Sequence, residues 1–136
     1  MDIVLVISRV LFALMLVNGG LAHFRQLDAM AGYAQFKKVP AARLAVQLSG
    51  LVLFLGGLSI ILGVWADLGS LAITAVLLAM ALKMHDFWTQ TDPQAKQTET
   101  IGFFKNVSMA GGALYMFASA ANGNFGPELV AALFAN

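Results

Sequence analysis

Four long runs of apolar residues, separated by shorter polar segments, account for most of the chain. The runs cover residues 3–23, 44–65, 68–87 and 103–121. Each approaches the roughly 20 apolar residues that an α-helix needs to cross a bilayer core. Glycines inside the runs do not indicate loops, because unpaired backbone groups are too costly in lipid. The pattern predicts an all-α membrane protein, a single domain of residues 1–136 that folds as a bundle of four transmembrane helices.

The segment between the first two runs has a helical pattern of its own. Polar and basic side chains surround four apolar residues at helical spacing, namely Leu27, Met30, Ala31 and Ala34. This pattern predicts a short interfacial helix that lies in the membrane plane and is ended by Val39 and Pro40. An irregular surface loop is the alternative, because the apolar stripe is short.

Two further segments are polar. Residues 89–100 contain Pro93 and predict a solvated loop between the third and fourth runs. After a turn at residues 122–124, Pro127 is expected in the first turn of a short helix that runs to Phe134.

The composition supports lipid as the solvent of this chain. Apolar residues make up 60% of the 136 residues, charged residues make up 11%, and the mean hydropathy is +0.80. A soluble domain of this size has too much surface for its volume to hide that many apolar side chains. The net charge of +1 argues against a nucleic-acid partner, which requires a clustered basic face. The absence of cysteine excludes disulfides, thiolate nucleophiles and iron–sulfur clusters.

The basic residues are distributed unevenly between the two predicted sides of the membrane. Arg9 alone lies on the side of the termini, whereas seven lie on the other side: Arg25, Lys37, Lys38, Arg43, Lys83, Lys96 and Lys105. The positive-inside rule makes that second side cytoplasmic. We therefore expect a multi-pass protein of the cytoplasmic (plasma) membrane with both termini facing outward. The first run is not expected to be a cleaved signal peptide, because it lacks a basic start and contains Arg9.

Small residues recur in three of the four runs. They are Gly19 and Gly20 in the first, Gly50, Gly56, Gly57 and Gly63 in the second, and Ser108, Gly111 and Gly112 in the fourth. Because helices in lipid associate through close backbone approach, these residues predict tight helix packing. A groove left open for a flat ligand is the alternative.

Polar residues of the runs gather at the predicted cytoplasmic end. The candidates for ligand binding are Asn18, His23, His85, Asp86, Trp88, Lys105 and Asn106. Intramembrane polar groups are costly unless they are paired or face a cavity, so they are functional candidates. The alternative is structural, since groups this close to the interface also snorkel or cap helix ends.

Arg9 and the two histidines also suggest pairings between the runs. Arg9 lies inside the first run, where it either reaches the outer surface or forms a structural ion pair with Asp67 or Glu128. His23 and His85 also fit the two axial ligands of a haem, which we disfavour because both end helices in polar surroundings. No metal site is expected, because Asp86 is the one carboxylate near either histidine in sequence.

Five short motifs resemble those of the DoxX family of small four-helix membrane proteins, over nearly the whole chain. They occupy residues 8–10 (SRV), 18–23 (NGGLAH), 55–58 (LGGL), 85–88 (HDFW) and 103–106 (FFKN). The resemblance implies a cytoplasmic-membrane protein linked to respiratory or redox chemistry, since the family takes its name from a subunit of a thiosulfate:quinone oxidoreductase. One position departs from the family pattern. Leu53 stands where many members carry a glutamate, a natural proton or quinone contact, and this weakens the case for catalysis.

Our first hypothesis is a membrane-embedded accessory or small subunit of a redox assembly, with a quinone or lipid pocket at the cytoplasmic face. A bound quinone would be the cofactor, and no covalently attached cofactor is implied. The partners are the lipid bilayer and other membrane subunits or further copies of the chain. The alternative is a non-catalytic scaffold or chaperone-like subunit that assembles a partner protein. A self-contained quinone oxidoreductase is disfavoured, because the chain has no cysteine pair and no flavin or nucleotide motif.

Overall fold

The computed structural model describes residues 1–135, and these residues are overwhelmingly helical. The helices are α1 (Asp2–Arg25), α2 (Leu27–Phe36), α3 (Ala42–Leu62), α4 (Ala66–Met84) and α5 (Pro93–Ala121), with a short 3₁₀ turn at Phe87–Thr89. Within the described residues, three helical segments are long and apolar enough to cross a membrane: Asp2–Arg25, Ala42–Leu62 and Ala66–Thr89. The structure therefore supports a helical membrane protein with three such spans, rather than the expected four.

The fourth long helix, α5, falls outside that set because Lys105, Asn106 and several small residues dilute even its apolar part. It has 29 residues and begins ten residues before the apolar run at 103–121. The expectation of a solvated loop over residues 89–100 is therefore wrong for most of that segment. Asp92 accepts a hydrogen bond from the backbone nitrogen of Ala95 at 2.9 Å, and Pro93 occupies the first turn. Such an acceptor followed by proline is a strong helix start, and it outweighs the polar composition.

The third run also ends earlier than expected. Helix α4 stops at Met84, so His85 and Asp86 lie in the connection to α5 rather than in the helix. Ser59 explains the sharp turn at the other end of α4, since its hydroxyl donates to the carbonyl of Val64 at 2.6 Å.

The expected helix after Pro127 is not formed. The C-terminal segment instead returns to the turn between α3 and α4. Val130 and Val64 form an isolated parallel bridge, and the backbone nitrogen of Val130 donates to the carbonyl of Gly63 at 3.0 Å. The nitrogen of Phe134 donates to the Asp67 carboxylate at 2.5 Å. These bonds satisfy backbone groups of the α3–α4 turn and compete with helix formation in the tail.

The long helices pack in the order α1–α3–α4–α5, and Phe12 of α1 closes the bundle against Gly112 of α5. Buried apolar residues from all four form the core: Ala13, Leu16, Leu53, Ile60, Ile73, Leu77, Ala110 and Ala113. Large apolar side chains also cover the outer surface of each of these helices, among them Leu11, Leu48, Leu51, Leu78, Leu82, Ile101 and Leu114. An outer surface this apolar is what a lipid-facing bundle requires.

Candidate functional site

A cavity of about 620 Å³ lies between α1, α2, α3 and α4. Its walls are mainly aliphatic and include three methionines, Met30, Met80 and Met84. The polar residues on its walls are His23, Tyr33, Ser49, Lys83 and His85. Another concavity, of about 610 Å³, lies between α2 and the start of α3, but the exposed residues Asp28 and Arg43 line it. We take the first as the candidate site, because apolar walls with a few polar groups are typical of ligand pockets.

His23 is placed on the wall of this cavity by the close packing of α1 against α3. A Cβ atom at Gly50 would lie 2.5 Å from the Cβ of His23, so only glycine leaves room for the imidazole there. The side chain is 8% exposed, and its Nδ1 lies 2.7 Å from the carbonyl oxygen of Gly19. A carbonyl oxygen can only accept a hydrogen bond, so Nδ1 carries the proton.

His85 lines the same cavity. Its Nδ1 lies 2.9 Å from one oxygen of Glu99, and the hydroxyl of Tyr33 donates to the other oxygen at 2.6 Å. Gly102 makes this arrangement possible, since a Cβ atom there would lie 2.5 Å from Nδ1 of His85. Tyr33 of α2 and His85 of the α4–α5 connection thus meet at a single carboxylate on α5.

The electrostatics of this carboxylate follow from its partners. Burial raises the pKa of Glu99, but the hydrogen bonds from Tyr33 and His85 outweigh that effect and leave the pKa below its ordinary value. Burial and the bond to Glu99 both raise the pKa of Tyr33. Glu99 is therefore an anionic acceptor and Tyr33 a protonated donor at neutral pH.

A second contact joins the same elements. The ammonium of Lys37 is bonded to one oxygen of Asp86 and lies 5.4 Å from the ring centroid of Tyr33. Thr89 donates to the other oxygen of Asp86 at 2.8 Å. Burial lowers the pKa of Lys37, yet the bond to Asp86 and the interactions with Tyr33 leave it raised. We name the five residues of these two contacts the clasp: Tyr33, Lys37, His85, Asp86 and Glu99.

Sequence reasoning missed three clasp residues, Tyr33, Lys37 and Glu99. Glu99 lies in the segment expected to be a loop, and the Asp92–Pro93 start of α5 is the signal in the sequence that places it on a helix. Asp86 is therefore not the only carboxylate near His85. Within residues 1–135, no three His, Asp or Glu side chains form a group that could hold a metal ion.

The other candidates lie away from the cavity. Asn18 is exposed on α1, and Lys105 is exposed on α5. Trp88 is 54% exposed and packs in an aromatic cluster with Phe87 and Phe103. Asn106 is buried on α5, where its amide nitrogen has no partner in the described part of the chain. The structure thus brings His23 and His85 together on one cavity. Asp86 follows His85 in the chain and bonds to Lys37.

Arg9 is buried at the opposite end of the bundle, with its guanidinium 5.0 Å from the ring centroid of Phe125. Among residues 1–135, no ion pair joins it to Asp67. Asp67 instead accepts from the backbone nitrogens of Leu68 at 2.8 Å and Phe134 at 2.5 Å. Glu128 is the carboxylate that attracts Arg9.

Comparison with known proteins gives one family. No curated protein and no solved structure showed a match to the chain. The DoxX family model matches residues 4–86, which are more than half of the chain. The match includes His23, His85 and Asp86 and ends before Glu99. We conclude that the chain belongs to the DoxX family.

Proposed function

We propose that this protein is an accessory subunit of a membrane redox assembly and that the cavity binds a quinone. The observation that carries the proposal is the pair of histidines on one apolar cavity, each held in place through Nδ1. A quinone is a flat apolar ring with two polar oxygens, and it needs apolar walls and few hydrogen-bonding groups. The cavity volume of about 620 Å³ fits a quinone ring with part of its tail. A lipid chain would use the same walls.

We further propose that α5 is a fourth span, that α2 lies in the interface and that the clasp faces the cytoplasm. The clasp joins α2 to the α4–α5 connection at one end of the bundle. The C-terminal segment meets the α3–α4 turn at the other end. This arrangement agrees with four crossings, and the basic residues concentrate at the clasp end. Ile101, Phe104 and Leu114 give α5 an exposed apolar face for lipid.

Cysteine labelling tests this topology on a chain that has no cysteine of its own. Thr91 and Asn124 are both exposed and lie at opposite ends of the bundle. We expect an impermeant thiol reagent to label Asn124→Cys on intact cells, and to label Thr91→Cys only after the cells are permeabilised. Labelling of Thr91→Cys alone on intact cells would reverse the orientation. Labelling of both on intact cells would remove α5 as a span.

Quinone retention tests the pocket. In mild detergent we expect the wild-type protein to co-purify with quinone. We expect His85→Ala to retain at most about one fifth of that amount of quinone. The reason is the loss of contacts between the imidazole and the quinone ring, worth about 1 kcal/mol of buried surface. Because His85→Ala also removes a partner of Glu99, Ala45→Phe serves as a second variant, since it fills the cavity and leaves both histidines in place. Lys105→Ala, outside the cavity, is the control and should retain quinone normally.

The scaffold alternative has one observation in its favour. Ser108 and Gly111 form an exposed strip on α5, and nothing lies within 4 Å of a Cβ atom placed at Gly111. Small residues on a lipid-facing surface allow another helix to approach closely. If the protein is a scaffold, the same purification should return a membrane partner that Gly111→Leu loses, and no quinone in any variant. Mass spectrometry of the purified samples distinguishes the two outcomes.

A further inference from the structure

The cavity borders the lipid-facing surface of α3. Leu44, Leu48, Leu51 and Leu55 form one stripe along this helix, and each is 45–54% exposed. Leu48 belongs to this stripe and also lines the cavity. Val52, one turn further along, lines the cavity as well. By helical periodicity, the cavity therefore begins where the lipid-facing side of α3 ends.

The same arrangement occurs on α4. Its lipid-facing side includes Leu78 and Leu82, which are 42% and 60% exposed. Ala79 and Lys83 are exposed next to them and also line the cavity, and Val76 lines it one turn before Ala79. Residues at this helical spacing share one face, so Ala79 and Lys83 lie at the edge between the lipid-facing side of α4 and the cavity.

Helices α3 and α4 are in close contact near the turn that joins them. A Cβ atom at Gly56 would lie 2.8 Å from side-chain atoms of Ile73 and 3.2 Å from the carbonyl oxygen of Gly69. Because the connecting turn is short, the two helices run antiparallel. Each turn toward the N-terminus of α3 is therefore paired with a turn toward the C-terminus of α4.

Beyond this contact, the cavity opens between the two helices. Their register places Val52 opposite Val76 and Leu48 opposite Ala79, and all four residues line the cavity. Leu48 and Ala79 are both exposed, so the gap between them opens toward the lipid-facing surface. We name the gap between these four residues the crevice.

The polar groups of the cavity lie toward the clasp. Tyr33 and His85 are on the cavity wall, and both bond to Glu99. Lys83 is near the end of α4, and His23 is near the end of α1. The crevice offers aliphatic side chains instead. A ligand with a polar head and an apolar tail is therefore matched with its head toward the clasp and its tail toward the crevice.

We propose that the crevice is the opening through which a long-tailed isoprenoid quinone enters from the bilayer, and through which its tail remains in lipid. The identity of the head group rests on the proposed function. A cavity of about 620 Å³ accommodates the ring and the first part of the tail, but not a long isoprenoid chain. The remainder of the tail must leave the cavity. Exit into lipid avoids the unfavourable exposure of apolar chain to water.

Photolabelling of the protein in phospholipid vesicles tests where the tail lies. The probe is a benzoquinone whose decyl tail ends in a diazirine, and mass spectrometry identifies the labelled peptides. We expect most of the label on α3 and α4 beside the crevice, and its removal by excess unlabelled decyl benzoquinone. Displaceable label mostly on α1, α2 or α5 would overturn the crevice as the exit and leave the pocket in place. Absence of displaceable label on every helix would overturn the proposed function as well.

Tail length supplies an independent measurement. Two benzoquinones with the same ring, one with a short geranyl tail and one with a long solanesyl tail, compete with the probe at equal mole fraction in the membrane. If the tail leaves through the crevice, its length does not change the fit, so we expect the two to displace the probe equally within about threefold. A larger preference for the geranyl compound would show that the cavity encloses its ligand, and would overturn the proposal.

Ala79→Phe narrows the crevice at its exposed edge. A geranyl tail can stay inside the cavity and a solanesyl tail cannot, so this variant should weaken displacement by the solanesyl compound about fivefold relative to the geranyl compound. Ala75→Phe is the matched control, because Ala75 is also exposed on α4 but does not line the cavity. It should leave the two compounds equivalent. An equal effect of Ala79→Phe on both tails would contradict the crevice as the route of the tail.

Discussion

Gly20→Ala is expected to separate α1 from α3 and to lower the stability of the bundle severely. A Cβ atom at this position would lie 2.6 Å from the backbone nitrogen of Phe54 and 2.7 Å from the carbonyl oxygen of Gly50. Both neighbours are backbone atoms of α3, so no side chain can rotate to relieve the contact. Overpacking of a close helix contact costs about 1–3 kcal/mol, and we expect the upper end of that range here.

The neighbouring glycine provides a matched control. Nothing lies within 4 Å of a Cβ atom at Gly19, so Gly19→Ala adds the same methyl group to the same helix without a clash. Because alanine favours a helix over glycine by about 1 kcal/mol, this variant should be as stable as the wild type or slightly more stable. Thermal unfolding in mild detergent, followed by size-exclusion chromatography of the remaining folded protein, measures both variants. Similar melting temperatures for the two would refute the α1–α3 packing.

The second large effect is expected for Asp86→Asn, which breaks the ion pair in the clasp. The Lys37 side chain is 5% exposed, and the Asp86 side chain is 25% exposed. Removal of one partner leaves the ammonium buried without its counter-charge, and such losses cost about 3–5 kcal/mol for a fully buried pair. Since Asp86 is partly exposed to water, we expect a loss of about 2 kcal/mol.

Asp28→Asn is the control for the clasp. It makes the same chemical change in the pair between Asp28 and Arg43, whose side chains are 91% and 60% exposed. Exposed pairs contribute about 0–1 kcal/mol, so this variant should unfold close to the wild-type temperature. Combining Lys37→Met with Asp86→Asn should recover part of the lost stability, because the uncompensated charge is removed. If Asp86→Asn and Asp28→Asn unfold at the same temperature, the clasp does not stabilise the fold.

Local patterns explain what was predictable about the fold. Runs of apolar residues about 20 long, without breaks, predict helices in lipid whatever surrounds them, and α1, α3 and α4 follow those runs within a few residues. The interfacial pattern around Met30 likewise predicted a short helix, and α2 is helical. The predictions for the ends of the chain's elements were less accurate, because caps and tertiary contacts decide where a helix stops. Asp92 extended α5 into a segment expected to be a loop, and the C-terminal tail paired with Gly63 and Asp67 instead of coiling.

Hydropathy alone placed His23 and His85 at the same predicted end of the bundle, and the structure places both on one cavity. It could not identify Tyr33 and Glu99, which bond to each other across 66 residues of sequence. Nor could it separate Gly19 from Gly20, which have the same chemistry and differ only in which one faces α3. Spacing and composition report which residues share a helix and a depth in the membrane. The rotation of each helix about its axis and the partner that it meets depend on the packing of the whole bundle, and these determined the clasp and the cavity.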